Sequence, residues 1–124
     1  MSTKLLIVDD SKTIRNRIAR LILDPRLPNL QIVGLAANGI EALEQAQQHR
    51  PDLVTIDLTM PRMDGIECIG KLIAAFPDIN ILVVSALSDK LTALKALKQG
   101  ARGFLHKPFS DDALIDALQE LMKG

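Results

Sequence analysis

The chain is poor in the residues that several classes of protein depend on. Its 124 residues include one cysteine, so no internal disulfide framework is available. Cys68 reads as a small residue packed in a helix, in keeping with a reducing compartment. Aromatic residues make up 2%, with no Trp or Tyr to stack a flavin ring. No charge of one sign dominates: 15 basic and 15 acidic residues give a formal net charge of zero, so composition points neither to nucleic acid nor to an anionic membrane. No apolar run approaches the ~18 residues of a membrane span. The start, Met1-Ser2-Thr3-Lys4, enters a strand within a few residues and leaves no room for a signal peptide, so the expected location is cytoplasmic, with no membrane partner. What remains is ordinary globular material, 48% hydrophobic and 24% charged, of a length that suits one domain over residues 1–124.

The apolar residues are organised in short runs, and each run ends in a polar side chain. Leu5-Leu6-Ile7-Val8 leads into Asp9-Asp10, and Leu53-Val54-Thr55-Ile56 into Asp57. Ile79 to Val84 ends at Ser85, and Phe104-Leu105 leads to Lys107-Pro108. Runs of this length, rich in β-branched residues, predict fully buried strands of a parallel sheet. In an open parallel sheet, ligands bind in the crevice beyond the carboxyl ends of the strands. The sequence therefore predicts three carboxylates, a hydroxyl and an ammonium group in one crevice.

Helical patterns alternate with these strands. Ser11 is an N-cap for a helix with Ile14, Ile18, Leu21 and Ile22 at helical spacing, while Lys12, Arg15, Arg17 and Arg20 take the other positions. Asp24-Pro25 and Pro28-Asn29 mark a loop before a strand over Leu30 to Ala36. Asn38-Gly39 turns into a helix with Ile40, Leu43 and Ala46 as its apolar face, closed by Pro51. Gly65 opens a helix carrying Ile66, Ile69, Leu72 and Ile73, closed by Pro77. A further helix runs from about Ser88 to Gly100, which suits a left-handed C′ position. Ser110 caps the last helix, with Asp111 and Asp112 in its first turn, and this helix reaches Met122. Five βα units joined by short connections imply an α/β fold with a parallel sheet covered on both faces.

Asp9, Asp10 and Asp57 would repel one another by roughly 3 kcal/mol per pair at ~5 Å and an effective dielectric near 20. A divalent cation relieves that repulsion, and oxygen-only ligands favour a hard ion, Mg²⁺ or Mn²⁺. A carboxylate beside such an ion can act as a nucleophile toward phosphorus and form an aspartyl phosphate. Lys107 offers a positive charge for the developing phosphoryl charge, and Ser85 offers a donor for one of its oxygens.

The motifs Val8-Asp9-Asp10-Ser11, Asp57 followed by Met60-Pro61-Arg62-Met63-Asp64-Gly65, Ser85-Ala86 and Lys107-Pro108-Phe109 resemble, in order and across the whole chain, those of response-regulator receiver domains. The resemblance implies a doubly wound (βα)5 flavodoxin-like fold with strand order 2-1-3-4-5. It makes Asp57 the phospho-acceptor. Asp10 and Asp57 would bind Mg²⁺ directly, Asp9 largely through water, and Thr59 through its backbone carbonyl. Lys107 would contact the phosphoryl group, with a cis Lys107–Pro108 bond, and Ser85 and Phe104 would be the switch residues. Implied partners are a histidine kinase, a phosphatase, and a downstream target, such as a flagellar motor switch, on the face of the fourth helix, fifth strand and fifth helix. Phe104 stands where Tyr is common and Ser85 where Thr is common. Leu87 replaces a side chain that is polar or acidic in some members. Thr59-Met60 and the compact length are similar to the single-domain, CheY-like chemotaxis type, while Ile32-Val33-Gly34 and Asp52 to Thr55 are similar to the receiver half of chemotaxis methylesterases.

Rival readings lack parts. A phosphatase of the haloacid-dehalogenase type needs a second acid two residues after the nucleophile, where this chain has Thr59, and an insertion to cap its pocket. A direct nucleic-acid role needs a basic face or a helix-turn-helix unit, and none remains after the five βα units. The expected activity is thus that of a phospho-acceptor switch rather than an enzyme. A receiver cut from a larger regulator, methylesterase or transcription factor, is the alternative. His49 and His106 read as solvated, as do Lys90, Lys95 and Lys98 unless the fourth helix docks a partner.

Overall fold

The computed structural model describes residues 2–87 and 90–123. Strands and helices alternate as β1 (Thr3–Val8), α1 (Lys12–Leu21), β2 (Leu30–Ala36), α2 (Gly39–His49), β3 (Leu53–Ile56), α3 (Gly65–Ala75), β4 (Asn80–Ser85), α4 (Lys90–Gln99), β5 (Gly103–His106) and α5 (Asp111–Lys123). The strands form one parallel sheet of order β2-β1-β3-β4-β5, as the sequence resemblance implied. The chain reverses its direction of winding beside β1, so the crevice between the ends of β1 and β3 is the topological switch point.

Side-chain alternation along the strands builds two apolar layers. Leu5, Ile7, Leu53, Leu82 and Val84 pack with Ile18 and Ile22 at α1 and with Leu114, Ile115 and Leu118 of α5. Leu6, Val8, Val54, Ile56, Ile81 and Val83 pack with Ala42 and Ala46 of α2, Cys68, Ile69 and Leu72 of α3, and Ala96 of α4. Burying strands from both sides requires apolar residues at odd and even positions alike, which is why these strands read as continuous apolar runs.

Helices α1, α2, α3 and α5 open on side-chain caps. Ser11 Oγ accepts from Ile14 N, Asn38 Oδ1 from Glu41 N, and Asp64 Oδ1 from Glu67 N. Ser110 Oγ accepts from Ala113 N at the start of α5. Gly100 has φ 119°, the left-handed conformation expected of a residue closing α4. The predicted start of α4 at Ser88 lies outside the described residues.

Two expectations differ from the structure. The fifth strand, read as fully buried, is an edge strand whose residues are half-buried, with His106 exposed. Position at the sheet edge, not side-chain type, sets that exposure. On α2 the buried residues are Gly39, Ala42 and Ala46, while Ile40 and Leu43 are half-buried. Small side chains bring this helix close to the sheet, so the larger ones are turned to its flanks. Among the described residues, no helix is long and apolar enough to cross a membrane.

Candidate functional site

The acids at the strand ends are held by the sheet itself. Asp9 N donates to Ala36 O at 2.9 Å, and Asp57 N donates to Val8 O at 3.0 Å. The parallel ladder thus runs one residue past β1 and β3 and fixes the backbone of both acids. Below Asp57, the start of α3 comes very close: Gly65 N donates to Leu58 O at 3.0 Å. A Cβ at position 65 would lie 2.6 Å from Asp57 O and 2.6 Å from Leu58 Cα. Only glycine fits there without moving the backbone that carries Asp57.

Asp9 and Asp57 are buried and Asp10 is exposed. One carboxylate oxygen from each lies within 4.8 Å of the others. Lys107 Nζ reaches into the group, 2.7 Å from Asp9 Oδ2 and 3.3 Å from Asp57 Oδ2. Asp9 Oδ1 accepts from Ser11 N at 2.9 Å, and Asp57 Oδ1 from Thr59 N at 3.3 Å. Both oxygens of Asp9 are therefore engaged by protein donors, whereas no protein donor reaches the Asp10 carboxylate among the described residues.

Three carboxylates share one ammonium group. Burial pushes the Asp9 carboxyl above its ordinary value, and outweighs the Lys107 and Ser11 hydrogen bonds that pull it down. Burial would lower Lys107, but its hydrogen bond to Asp9 and the charges of Asp9 and Asp57 prevail and raise it. The Asp9 shift is thus an effect of burial, and the Lys107 shift an effect of the acids around it. An oxygen-only donor set with one open, exposed carboxylate suits a hard divalent cation of the Mg²⁺ kind.

Ser85 is buried at the end of β4, where its Oγ accepts from Leu87 N at 3.1 Å. Its carbonyl accepts from Lys107 N at 2.9 Å, so the backbones carrying the hydroxyl and the ammonium are tied together. The Lys107–Pro108 peptide bond is cis. Phe104 is half-buried against the α2–α4 layer, and its ring lies 4.8 Å from that of His106, centroid to centroid. His106 is exposed, as read from the sequence, but has this ring contact; His49, also exposed, uses its carbonyl to accept from Lys4 Nζ. Thr59 and Leu87 are both exposed beside the site.

Two residues around the site escaped the sequence reading. Arg15 and Arg17 fell among the non-core positions of α1, yet both are half-buried. Arg15 Nη1 donates to Asp9 O, and Arg17 Nη2 to Phe109 O, each at 2.6 Å. Nothing in the local pattern marks them, because both acceptors are backbone carbonyls, and that of Arg17 meets α1 only in the folded chain.

The family model described as "Response regulator receiver domain" matches residues 5–119. The chain is 37% identical to a chemotaxis protein CheY of Listeria monocytogenes over 97% of this chain and 98% of that protein. It is 41% identical to a protein-glutamate methylesterase/protein-glutamine glutaminase of Aliivibrio fischeri, over 91% of this chain but 30% of that longer protein. Among solved structures, a chain in the CheX–CheY–BeF3–Mg complex from Borrelia burgdorferi superposes with a TM-score of 0.90 and 28% identity, covering 97% of this chain and 89% of that one. With the family model matched over residues 5–119 and a relative 37% identical over nearly the whole of both chains, the chain belongs to the response-regulator receiver domain family.

Proposed function

We propose that the protein is a phosphorylation-controlled switch of a two-component system, acting in chemotaxis or motility. The observation that carries this reading is the buried Asp57, flanked by Asp9, Asp10 and Lys107 at the switch point of the sheet. A histidine kinase presents phosphohistidine, and an Asp57 oxygen attacks its phosphorus. The N–P bond breaks, histidine leaves with a proton, and an aspartyl phosphate remains. Asp10, Asp57 and the Thr59 carbonyl would hold the cation, with Asp9 acting largely through water. Bound Mg²⁺ offsets the cluster's negative charge and the charge that develops on the phosphoryl oxygens. Lys107 turns from Asp9 to the phosphoryl group, and the Ser85 hydroxyl donates to one of its oxygens.

The pull on Ser85 and Lys107 is then passed to Phe104 and to the face of α4, β5 and α5. Leu91, Leu94 and Leu97 are exposed on α4 beside Lys90, Lys95 and Lys98, an apolar and basic surface suited to a downstream target such as a flagellar motor switch protein. Moving such an equilibrium from mostly off to mostly on takes ~5.5 kcal/mol of differential stabilisation. Two new charge-assisted hydrogen bonds and the cation are of that order. The protein itself is a phospho-acceptor, and the only chemistry it performs is on its own Asp57.

The experiment is to add an acyl-phosphate donor and Mg²⁺ and to follow backbone amide shifts. Changes that begin at Asp57 and extend to Ser85, Phe104 and α4 support the switch, whereas changes confined to the acid cluster contradict it. A second reading, a receiver belonging to a larger regulator, is favoured by the 41% identity to the receiver-length part of the Aliivibrio fischeri methylesterase. The reading frame around the coding segment separates the two.

A further inference from the structure

Lys107 is the functional side chain whose placement depends most on a loop. Its ammonium must reach from the β5–α5 connection past the end of β4 to Asp9 and Asp57 at the ends of β1 and β3. Upstream, the connection is fixed by the bond from Lys107 N to Ser85 O, at 2.9 Å. Downstream, one side chain from another element fixes it. Arg17 Nη2 donates to Phe109 O at 2.6 Å and to Asp111 Oδ1 at 2.9 Å, and its Cζ lies 4.3 Å above the centroid of the Phe109 ring. Phe109 is buried, so the ring and the carbonyl that Arg17 grips are both fixed points of the core. Arg17 is itself anchored on α1, whose Ile18 is buried in the same layer as Phe109.

We propose that Arg17 is a positioning residue for phosphoryl transfer, holding the Phe109 backbone so that Lys107 faces Asp57. The inference rests on the reading of Asp57 as phospho-acceptor. The guanidinium is suited to this because one planar group stacks on the ring with its face and donates to the carbonyl and the carboxylate with its edge. A lysine offers a point charge without the stacking plane or the fork. The ion pair to Asp111 adds little by itself, since Asp111 is largely exposed. The neighbouring Arg15 makes the matching contact on the other side, to the carbonyl of Asp9. The two partners of the 2.7 Å Lys107–Asp9 pair are thus each braced by an arginine of α1.

The test compares wild type, Arg17→Ala and Arg17→Lys. Phosphorylation by an acyl-phosphate donor at saturating Mg²⁺ should slow about tenfold in Arg17→Ala, because a misplaced charge loses its effect on the transition state. Mg²⁺ affinity should not fall, since Arg17 touches none of the acids that would hold the cation, and an ammonium drawn away from Asp9 and Asp57 would only raise it. Methylguanidinium added at low concentration should restore part of the lost rate to Arg17→Ala, and Arg17→Lys should recover little of it. Independently of any phosphorylation, exchange of the Lys107 amide should speed up in Arg17→Ala while the amides of β1 and β3 keep their protection. An Arg17→Ala protein with wild-type Lys107 exchange overturns the positioning role, and so does one phosphorylated at the wild-type rate. Loss of rate, Mg²⁺ affinity and β1–β3 protection together would also overturn it, as general unfolding. If wild type takes up no phosphoryl group, the reading of Asp57 falls, and Lys107 exchange still decides whether Arg17 holds the loop.

Discussion

Lys107 and Asp9 form a partly buried ion pair, Nζ to Oδ2 2.7 Å, shorter than the 3.3 Å contact between the same ammonium and Asp57. Lys107 is therefore held chiefly by the acid that is not the proposed phospho-acceptor. A lysine parked on Asp9 is ready to move when charge appears on Asp57.

Lys107→Ala removes a cation that competes with Mg²⁺ for the same carboxylates. At ~5 Å and an effective dielectric near 20, one unit charge is worth roughly 3 kcal/mol, and if relaxation leaves about half of that, Mg²⁺ should bind the variant about tenfold more tightly. The variant should fail to pass activation to the distal face. Calorimetric titration checks the first outcome, and amide shifts around Phe104 and α5 after phosphorylation check the second. Wild-type shifts at Phe104 would refute the proposed part of Lys107 in the switch.

The lifetime of the phosphorylated state depends on water reaching the phosphorus. Side chains two residues after Asp57 and two after Ser85 flank that approach, and here they are Thr59 and Leu87, both exposed. Leu87 has no hydrogen-bonding group to hold a water, and Thr59 is short. Thr59→Asn/Leu87→Glu should accelerate the decay of phosphorylated protein several-fold once the donor is removed. A decay as slow as in wild type would show that these positions do not govern access.

Thr55 lies two residues before Asp57 in the central strand, and its Oγ1 is buried with no hydrogen-bond partner among the described residues. Its strand neighbours across the ladder are Ile7 and Leu82, both in the α1–α5 layer. An unpaired hydroxyl in that setting costs about 1 kcal/mol or more, and Val keeps the β-branched shape. Thr55→Val should raise the urea midpoint by the equivalent of about 1 kcal/mol, with an unchanged slope. A lower midpoint would mean that the hydroxyl has a partner in solution.

Cys68 is buried in α3, and burial, with smaller contributions from the Asp64 and Glu67 charges, pushes its thiol up to about 12 from an ordinary 9.0. A group whose folded value is raised favours folding below its unfolded value and loses that contribution as pH rises through the folded one. Wild type should therefore lose stability relative to Cys68→Ala as pH rises from 9.0 toward about 12, because the unfolded thiol ionises and the folded one does not. Denaturant melts of the two proteins across that range provide the check. A thiol reagent should also modify native Cys68 no faster than the protein unfolds.

Much of this site was legible before folding because its acids terminate apolar runs. A run of four such residues fixes a strand, and the rule that ligands bind beyond the carboxyl ends then brings Asp9, Asp10, Asp57, Ser85 and Lys107 to one edge. What could not be read depends on distances between elements. Residue type alone makes Phe104 and Leu105 look as buried as Val54 and Ile56, and only the place of β5 at the sheet edge distinguishes them. The inward face of α2 is set by Ala42 and Ala46, whose small size draws little notice in a hydrophobic pattern. Arg15 and Arg17 find their acceptors 6 and 92 residues away along the chain. The second of these contacts exists only once α1 packs beside the β5–α5 connection.

The central claim is that Asp57 accepts the phosphoryl group. The most direct measurement is intact mass after incubation with an acyl-phosphate donor and Mg²⁺, for wild type and Asp57→Asn. The account predicts one phosphoryl group on wild type, none on Asp57→Asn, and none on wild type when Mg²⁺ is chelated. Equal labelling of wild type and Asp57→Asn would contradict it.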